Sequence, residues 1–184
     1  FMGCLIWAVF DEVYYYVEES AKAKIYRKMI YIDVMTGMEN RTAFEKMLGD
    51  DVSAEGIAYI VFDNDNLKVI NDNCGHQAGD LLLRETAKCI RKVFGKFGRC
   101  FRIGGDEFLV LLRGIRSMEE VKVCADRICR MVTELSPSSK LQISCSIGAV
   151  MTFEEGSSYE ELVNMADQRA YSAKNRGKNQ VCCE

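Results

Sequence analysis

Histidine and proline each occur once in the 184 residues. No stretch reaches the ~18 to 20 consecutive apolar residues that a membrane span requires. With His76 alone and no pair of Cys-x-x-Cys motifs, the common zinc-ligand sets cannot be assembled. A surplus of positive charge is also lacking. The net charge is −3, whereas a non-specific nucleic-acid binder is usually basic. A nucleotide substrate stays open, because one phosphate site needs only a few local cations. The lone Pro137 falls in Ser136-Pro137-Ser138-Ser139 and marks a loop. There is no internal repeat and no low-complexity segment.

Apolar residues are plentiful: 48% of the chain is hydrophobic, enough for one domain with a substantial core. Nine cysteines do not make a disulfide framework, because the count is odd. Cys89, Cys124, Cys129 and Cys145 lie in apolar runs, where a free thiol serves as a small hydrophobe. Cys182-Cys183 reads as strand filler. A reducing cytoplasm fits this usage. The opening Phe1–Phe10 run is apolar and short, without the basic start of a signal peptide. It is either the tail of a membrane helix or the start of a packed amphipathic one, and the second is favoured.

Residues 4–31 hold no Gly or Pro, and Ile6, Phe10, Val13, Val17, Ala21 and Ile25 recur at helical steps. This N-terminal helix either docks on its own domain or pairs with a second copy and carries signal from an upstream module. A break at Thr36-Gly37 precedes a second helix running to Leu48. Gly56–Phe62 reads as a buried strand ending at Asp63-Asn64-Asp65-Asn66, and a helix follows around Gly79–Ile90. Phe101 to Leu112 reads as a hairpin, with Gly104-Gly105 supplying the positive φ of a tight turn. A helix over 117–135, a strand over 142–151, a helix over 159–174 and a short strand over 180–183 complete the chain. Strands and helices alternate, yet the hairpin demands an antiparallel pair. The pattern therefore predicts an α+β sandwich rather than a doubly wound parallel sheet.

Two acidic clusters stand at strand boundaries: Asp63 with Asp65, and Asp106 with Glu107. If their strands are neighbours, the clusters meet on one edge of the sheet. Carboxylates there are hard oxygen ligands suited to Mg²⁺, which binds readily together with phosphates. Either cluster alone would more often be a solvated turn. Asn71 and Asp80 bracket His76 on a loop leading into a helix; Asn offers a donor and an acceptor, and Asp accepts two donors such as those of guanine. Lys174 and Lys178 lie one turn apart at a helix end, where cations reach a phosphate or simply sit in solvent.

The stretch Arg102-Ile-Gly-Gly-Asp-Glu-Phe108 holds a GGDEF signature, and the chain resembles the GGDEF-domain diguanylate cyclases. Three further patterns resemble family motifs in order. They are Asp33-x-Met-Thr-Gly-Met-x-Asn-Arg41, Asp63-x-Asp-x-Leu-Lys-x-Ile-Asn-Asp-x-x-Gly-His-x-x-Gly-Asp80 and Ala173-Lys-x-x-Gly-Lys-Asn179. The resemblance implies an α+β palm or nucleotidyl-cyclase-like fold, with a central sheet containing antiparallel strands and flanked by helices. Residues 1–32 would form a linker or signalling helix and 33–184 the cyclase domain. It implies condensation of two GTP into cyclic di-GMP and two pyrophosphates at a homodimer interface, with two Mg²⁺ per half-site and Mn²⁺ as a substitute. Asp63 and Asp106 would be side-chain metal ligands, assisted by the Asn64 carbonyl. Asn71 and Asp80 would read guanine, with His76 lining the same loop. Amides near Asn66 and Leu67, with Lys68, Lys174 and Lys178, would hold phosphates. Asp106 would activate the attacking 3′-hydroxyl, and Glu107 would assist or orient the hairpin.

Two features depart from the family pattern. Gly95 and Gly98 stand where an inhibitory Arg-x-x-Asp product site often lies, so that brake is expected to be missing. Leu67 replaces a commoner aromatic. Asp80 favours guanine over adenine at the base site. An alternative is a catalytically weak, GTP-binding regulatory module. The expected setting is a cytoplasmic domain of a longer protein with an upstream sensory module, membrane attachment being left open.

Overall fold

The computed structural model describes residues 2–50, 58–136, 142–151 and 159–184. Helix α1 (Met2–Tyr31) is one uninterrupted rod, as the Gly- and Pro-free course of residues 4–31 predicts. Phe10, Val13, Val17 and Ile25 all remain exposed along it. The stripe is therefore not buried against the helix's own domain, and that one of the two readings is overturned. The end of α1 is anchored. Tyr31 packs against the core, and the Asn40 carboxamide donates to the Ile30 carbonyl at 2.8 Å.

Among the described residues, six strands form a mixed sheet: β1 (Glu39–Asn40), β2 (Ala58–Asp65), β3 (Gly98–Arg102), β4 (Glu107–Leu112), β5 (Ser144–Met151) and β6 (Val181–Cys182). Their order is β1-β3-β4-β2-β5-β6. The four inner strands pair antiparallel, while β1 and β6 join β3 and β5 in parallel. Helices α4 (His76–Phe94) and α5 (Met118–Thr133) cover one face, and α2 (Arg41–Asp50) and α6 (Tyr159–Asn175) cover the other. Side chains alternate across a strand, so Ile60 and Phe62 enter the first layer while Tyr59 and Val61 enter the second. Both faces of β2 are thus covered, which is why it reads as a continuous apolar run.

Edge-on aromatic pairs close each layer: Phe62–Phe94 at 6.2 Å and Phe44–Phe101 at 5.2 Å between ring centres. Gly148 lets α6 lie directly on β5, because a Cβ there would strike the Ala166 carbonyl and the Ala170 amide. The eight described cysteines are free, and Cys89, Cys129 and Cys145 are core residues as their apolar settings predict.

Several boundaries differ from the sequence reading. The strand at 56–62 runs on through Asp65, beyond the acidic break; residues 56 and 57 lie outside the described residues. The segment carrying Asn71 is a helix, α3 (Leu67–Cys74), separated from α4 by Gly75 at φ 82°. Residues 137–139 of the expected loop are also outside the described set. Gly104 and Gly105 do not adopt positive φ in the hairpin. What Gly104 provides is room, since a Cβ there would overlap the Glu107 carboxylate.

Candidate active site

The two acidic clusters meet because β2 and β4 are antiparallel neighbours, with Asp63 opposite Glu107. Just beyond the paired strands, the Asn64 N–H donates to the Asp106 carbonyl at 3.4 Å. In an extended strand the N–H and C=O of one residue face the same side, so the Asn64 carbonyl also turns toward this edge. The Asn64 side chain points the other way and accepts from Thr86 on α4 at 3.1 Å.

One Asp63 carboxylate oxygen, Oδ2, takes a short hydrogen bond of 2.5 Å from Lys174. The other, Oδ1, is buried and has no hydrogen-bond partner. Burial pushes the Asp63 carboxyl above the usual carboxylate range, opposed by Lys174 and reinforced by repulsion from Asp106 and Asp65. The Lys174 ammonium moves up as well: burial lowers it, but Asp63, Asp106 and Asp65 more than offset that loss. A groove of about 530 Å³ opens here, with Asp63, Glu107, Asp167, Tyr171 and Lys174 among its walls.

Asn66 starts α3 in the left-handed region, φ 64°, and its side-chain oxygen accepts from Lys178 at 2.8 Å. Leu67 is partly buried against the core, and Lys68 is exposed on the first turn of α3. The partners proposed for a base are close together: Asn71 on α3 abuts Gly79 on α4, the residue before Asp80. A Cβ at Gly79 would overlap the Asn71 carboxamide, so this glycine is what permits the approach. The buried Asn71 Oδ1 has no hydrogen-bond partner. His76 opens α4 and is exposed. Among the described residues, no group of three or more His, Cys, Asp or Glu side chains closes on a point that could hold a metal ion.

A tie from Asp33 to the hairpin escaped the sequence reading. Asp33 accepts from the Thr36 N–H at 2.8 Å and from its hydroxyl at 2.6 Å. The Arg102 guanidinium bonds Asp33 at 3.2 Å and the Gly105 carbonyl at 2.7 Å. Burial would raise the Asp33 carboxyl, but Thr36 and Arg102 together hold it below its ordinary value. Both residues belong to the motifs, yet nothing in their spacing says that they touch. The hairpin tip is thereby linked to the segment that leaves α1.

A curled mixed sheet between two helical layers, with carboxylates on one strand edge and lysines at a helix end beside it, is the palm-like architecture. The chain matches the family described as diguanylate cyclase, GGDEF domain, over residues 30–180, and it belongs to that family. Diguanylate cyclase DgcS of Shewanella oneidensis is 33% identical over 152 residues, covering 80% of this chain and 50% of that protein. Diguanylate cyclase DgcN of Escherichia coli is 32% identical over 165 residues, covering 86% of this chain and 40% of that protein. The chain thus spans half or less of the length of these curated relatives. The crystal structure of the coiled coil and GGDEF domain of DgcB from Caulobacter crescentus, in complex with c-di-GMP, superposes with a TM-score of 0.83. That match is 25% identical and covers 98% of this chain and 99% of the other.

Proposed function

We propose that the chain is a diguanylate cyclase, joining two GTP molecules into cyclic di-GMP with release of two pyrophosphates. The observation that carries this reading is the Asp63 carboxylate, half-buried at the β2–β4 edge with its enclosed Oδ1 unpartnered, beside Asp106 and Lys174. An orphaned, buried anionic oxygen is unfavourable unless a cation completes it. Asp63, Asp106 and the Asn64 carbonyl would hold Mg²⁺, or Mn²⁺ in its place. Fewer than three carboxylates suffice, because Mg²⁺ takes its remaining oxygens from substrate phosphates and water. When bound, two such ions supply charge neutralisation for the transferring phosphoryl group.

The protein's own residues do the rest. Asn71 and Asp80 hydrogen-bond the guanine edge, with His76 beside them. The amides at Asn66 and Leu67, with Lys68, Lys174 and Lys178, hold the triphosphate and stabilise charge on the departing pyrophosphate. Asp106 accepts the proton of a ribose 3′-hydroxyl as its oxygen bonds the α-phosphorus of the second GTP and the bond to pyrophosphate breaks. Glu107 lines the same groove, assisting or fixing the hairpin. The step occurs twice to close the ring.

Each domain offers one nucleotide site, so two copies must face each other about an axis near twofold. Residues 1–32 form the connecting helix and 33–184 the catalytic domain. The exposed stripe of α1 is the surface by which two copies pair and by which an upstream sensory module sets their distance. The setting proposed for the domain is the cytoplasm. The test is turnover of GTP with Mg²⁺ across a range of protein concentrations. Cyclic di-GMP and pyrophosphate should form, with specific activity rising with concentration. Absence of product at high concentration, with GTP still bound, would leave only a nucleotide-binding module.

A further inference from the structure

Asp65 is the one carboxylate buried among the described residues, 2% exposed, and the chemistry above gives it no task. Its Oδ2 accepts from the Ser144 hydroxyl at 2.7 Å and the Asn179 N–H at 3.3 Å, and its Oδ1 accepts from the Ser146 hydroxyl at 2.9 Å. Strand β5 and the turn after α6 therefore converge on one side chain carried by β2. Taking a carboxylate out of water is costly even when hydroxyls and amides satisfy it, and an apolar residue would fill the space without that cost.

The turn it holds is unusual. Gly177, Lys178 and Asn179 have φ of 119°, 64° and 49°, three positive values in succession, two of them in residues bearing a Cβ. Backbone of this kind persists where its surroundings over-determine it. Within its own side of the sheet it is anchored by the Gly177 N–H to the Lys174 carbonyl at 3.4 Å, the Lys178 N–H to the Ala173 carbonyl at 3.0 Å, the Ile147 N–H to the Gln180 carbonyl at 3.0 Å, and the Thr133 hydroxyl to the Asn179 side chain at 3.1 Å. Among the described residues, the Asp65 bond alone reaches the turn's backbone from β2, the strand that also carries Asp63 and leads into Asn66. Lys178, in the middle of the turn, meets Asn66 at 2.8 Å.

We infer that Asp65 is a positioning residue: it fixes the Gly177–Asn179 turn against β2, so that Lys178 stands over the same phosphates as Lys174, without itself touching the nucleotide. The role in nucleotide binding rests on the function proposed above; the hold on the turn does not.

The experiment compares GTP and GMP affinity by calorimetry in wild type, Asp65→Ala, Asp65→Asn and Lys178→Ala. It is paired with hydrogen exchange at the amides of residues 176–180. Asp65→Ala should weaken GTP about tenfold, the loss of one charge-assisted contact, and leave GMP unchanged. Asp65→Asn, whose amide oxygen can still accept from Asn179, should recover most of that loss. Adding Asp65→Ala to Lys178→Ala should cost nothing further. If Asp65→Ala does not fold, Ser146→Ala serves in its place with the same GTP-to-GMP contrast. Equal loss of GTP and GMP would overturn the inference, and so would unchanged turn exchange in Asp65→Ala. A wild type that ignores GTP while the variant's turn exchanges faster would instead sink the nucleotide reading and keep Asp65's hold on the turn.

Discussion

At the scale of single residues, the site stores unfavourable charge where chemistry is proposed. Asp63 titrates above the ordinary 3.8, burial being the first cause, even with Lys174 bonded to it. The sign follows from linkage. A carboxyl raised by folding weakens the fold once it ionises, so the penalty is present at neutral pH and disappears as the pH falls below 3.8. Asp63→Asn should therefore unfold at or above the wild-type temperature at pH 7 without metal, the difference vanishing in acid. Its turnover of GTP should fall at least a hundredfold, in line with removing a group that stabilises transition-state charge. Melting curves and product assays on the same preparation check both halves. A variant that melts well below wild type would show that the Lys174 bond outweighs burial.

At the scale of elements, close backbone approach sets the position of Lys174. Helix α6 meets β5 at Gly148, with Ala166 and Ala170 against it, and Lys174 follows one turn beyond Ala170. Gly148→Ala forces these backbones apart and should cost about 1–3 kcal/mol, the usual penalty of overpacking. That loss lowers the unfolding temperature by about 2–4 °C per kcal/mol in a chain of this size. Thermal melts check it, and an unchanged midpoint would show that α6 shifts freely. The sequence made the long elements legible, because α4 and α5 have strong helical periodicity, β5 has a long run without charge, and residues 4–31 of α1 hold no helix breaker. It missed α3, where only Ile70 is buried and Asn71-Asp72-Asn73 look like loop residues. Asp63 and Asp65 looked alike as acids at a strand end. Only the extension of β2 past them shows one facing the groove and the other enclosed by Ser144, Ser146 and Asn179. Whether Asp63 and Asp106 would meet depended on β2 lying beside β4, a long-range pairing that local pattern does not encode.

At the scale of the whole molecule, the apolar stripe of α1 stands apart from the core that orders the rest. Trp7, Phe10, Val13 and Val17 are each more than half exposed, a contiguous apolar surface of the kind that marks an interaction site. The proposed reaction needs two nucleotide sites face to face, so pairing through α1 would raise the local concentration of one domain at the other. The tie from Arg102 to Asp33 and Gly105 then links the end of that helix to the hairpin bearing Asp106. Replacing Phe10, Val13 and Val17 together by Glu should leave GTP affinity and the melting temperature of the domain unchanged, because these side chains touch neither core nor site. Turnover at low protein concentration should drop more than tenfold and recover as concentration rises, since only the encounter of two domains has been weakened. Turnover that falls by the same factor at every concentration would place the effect within each domain. Turnover that does not fall at all would mean that the domains meet without α1.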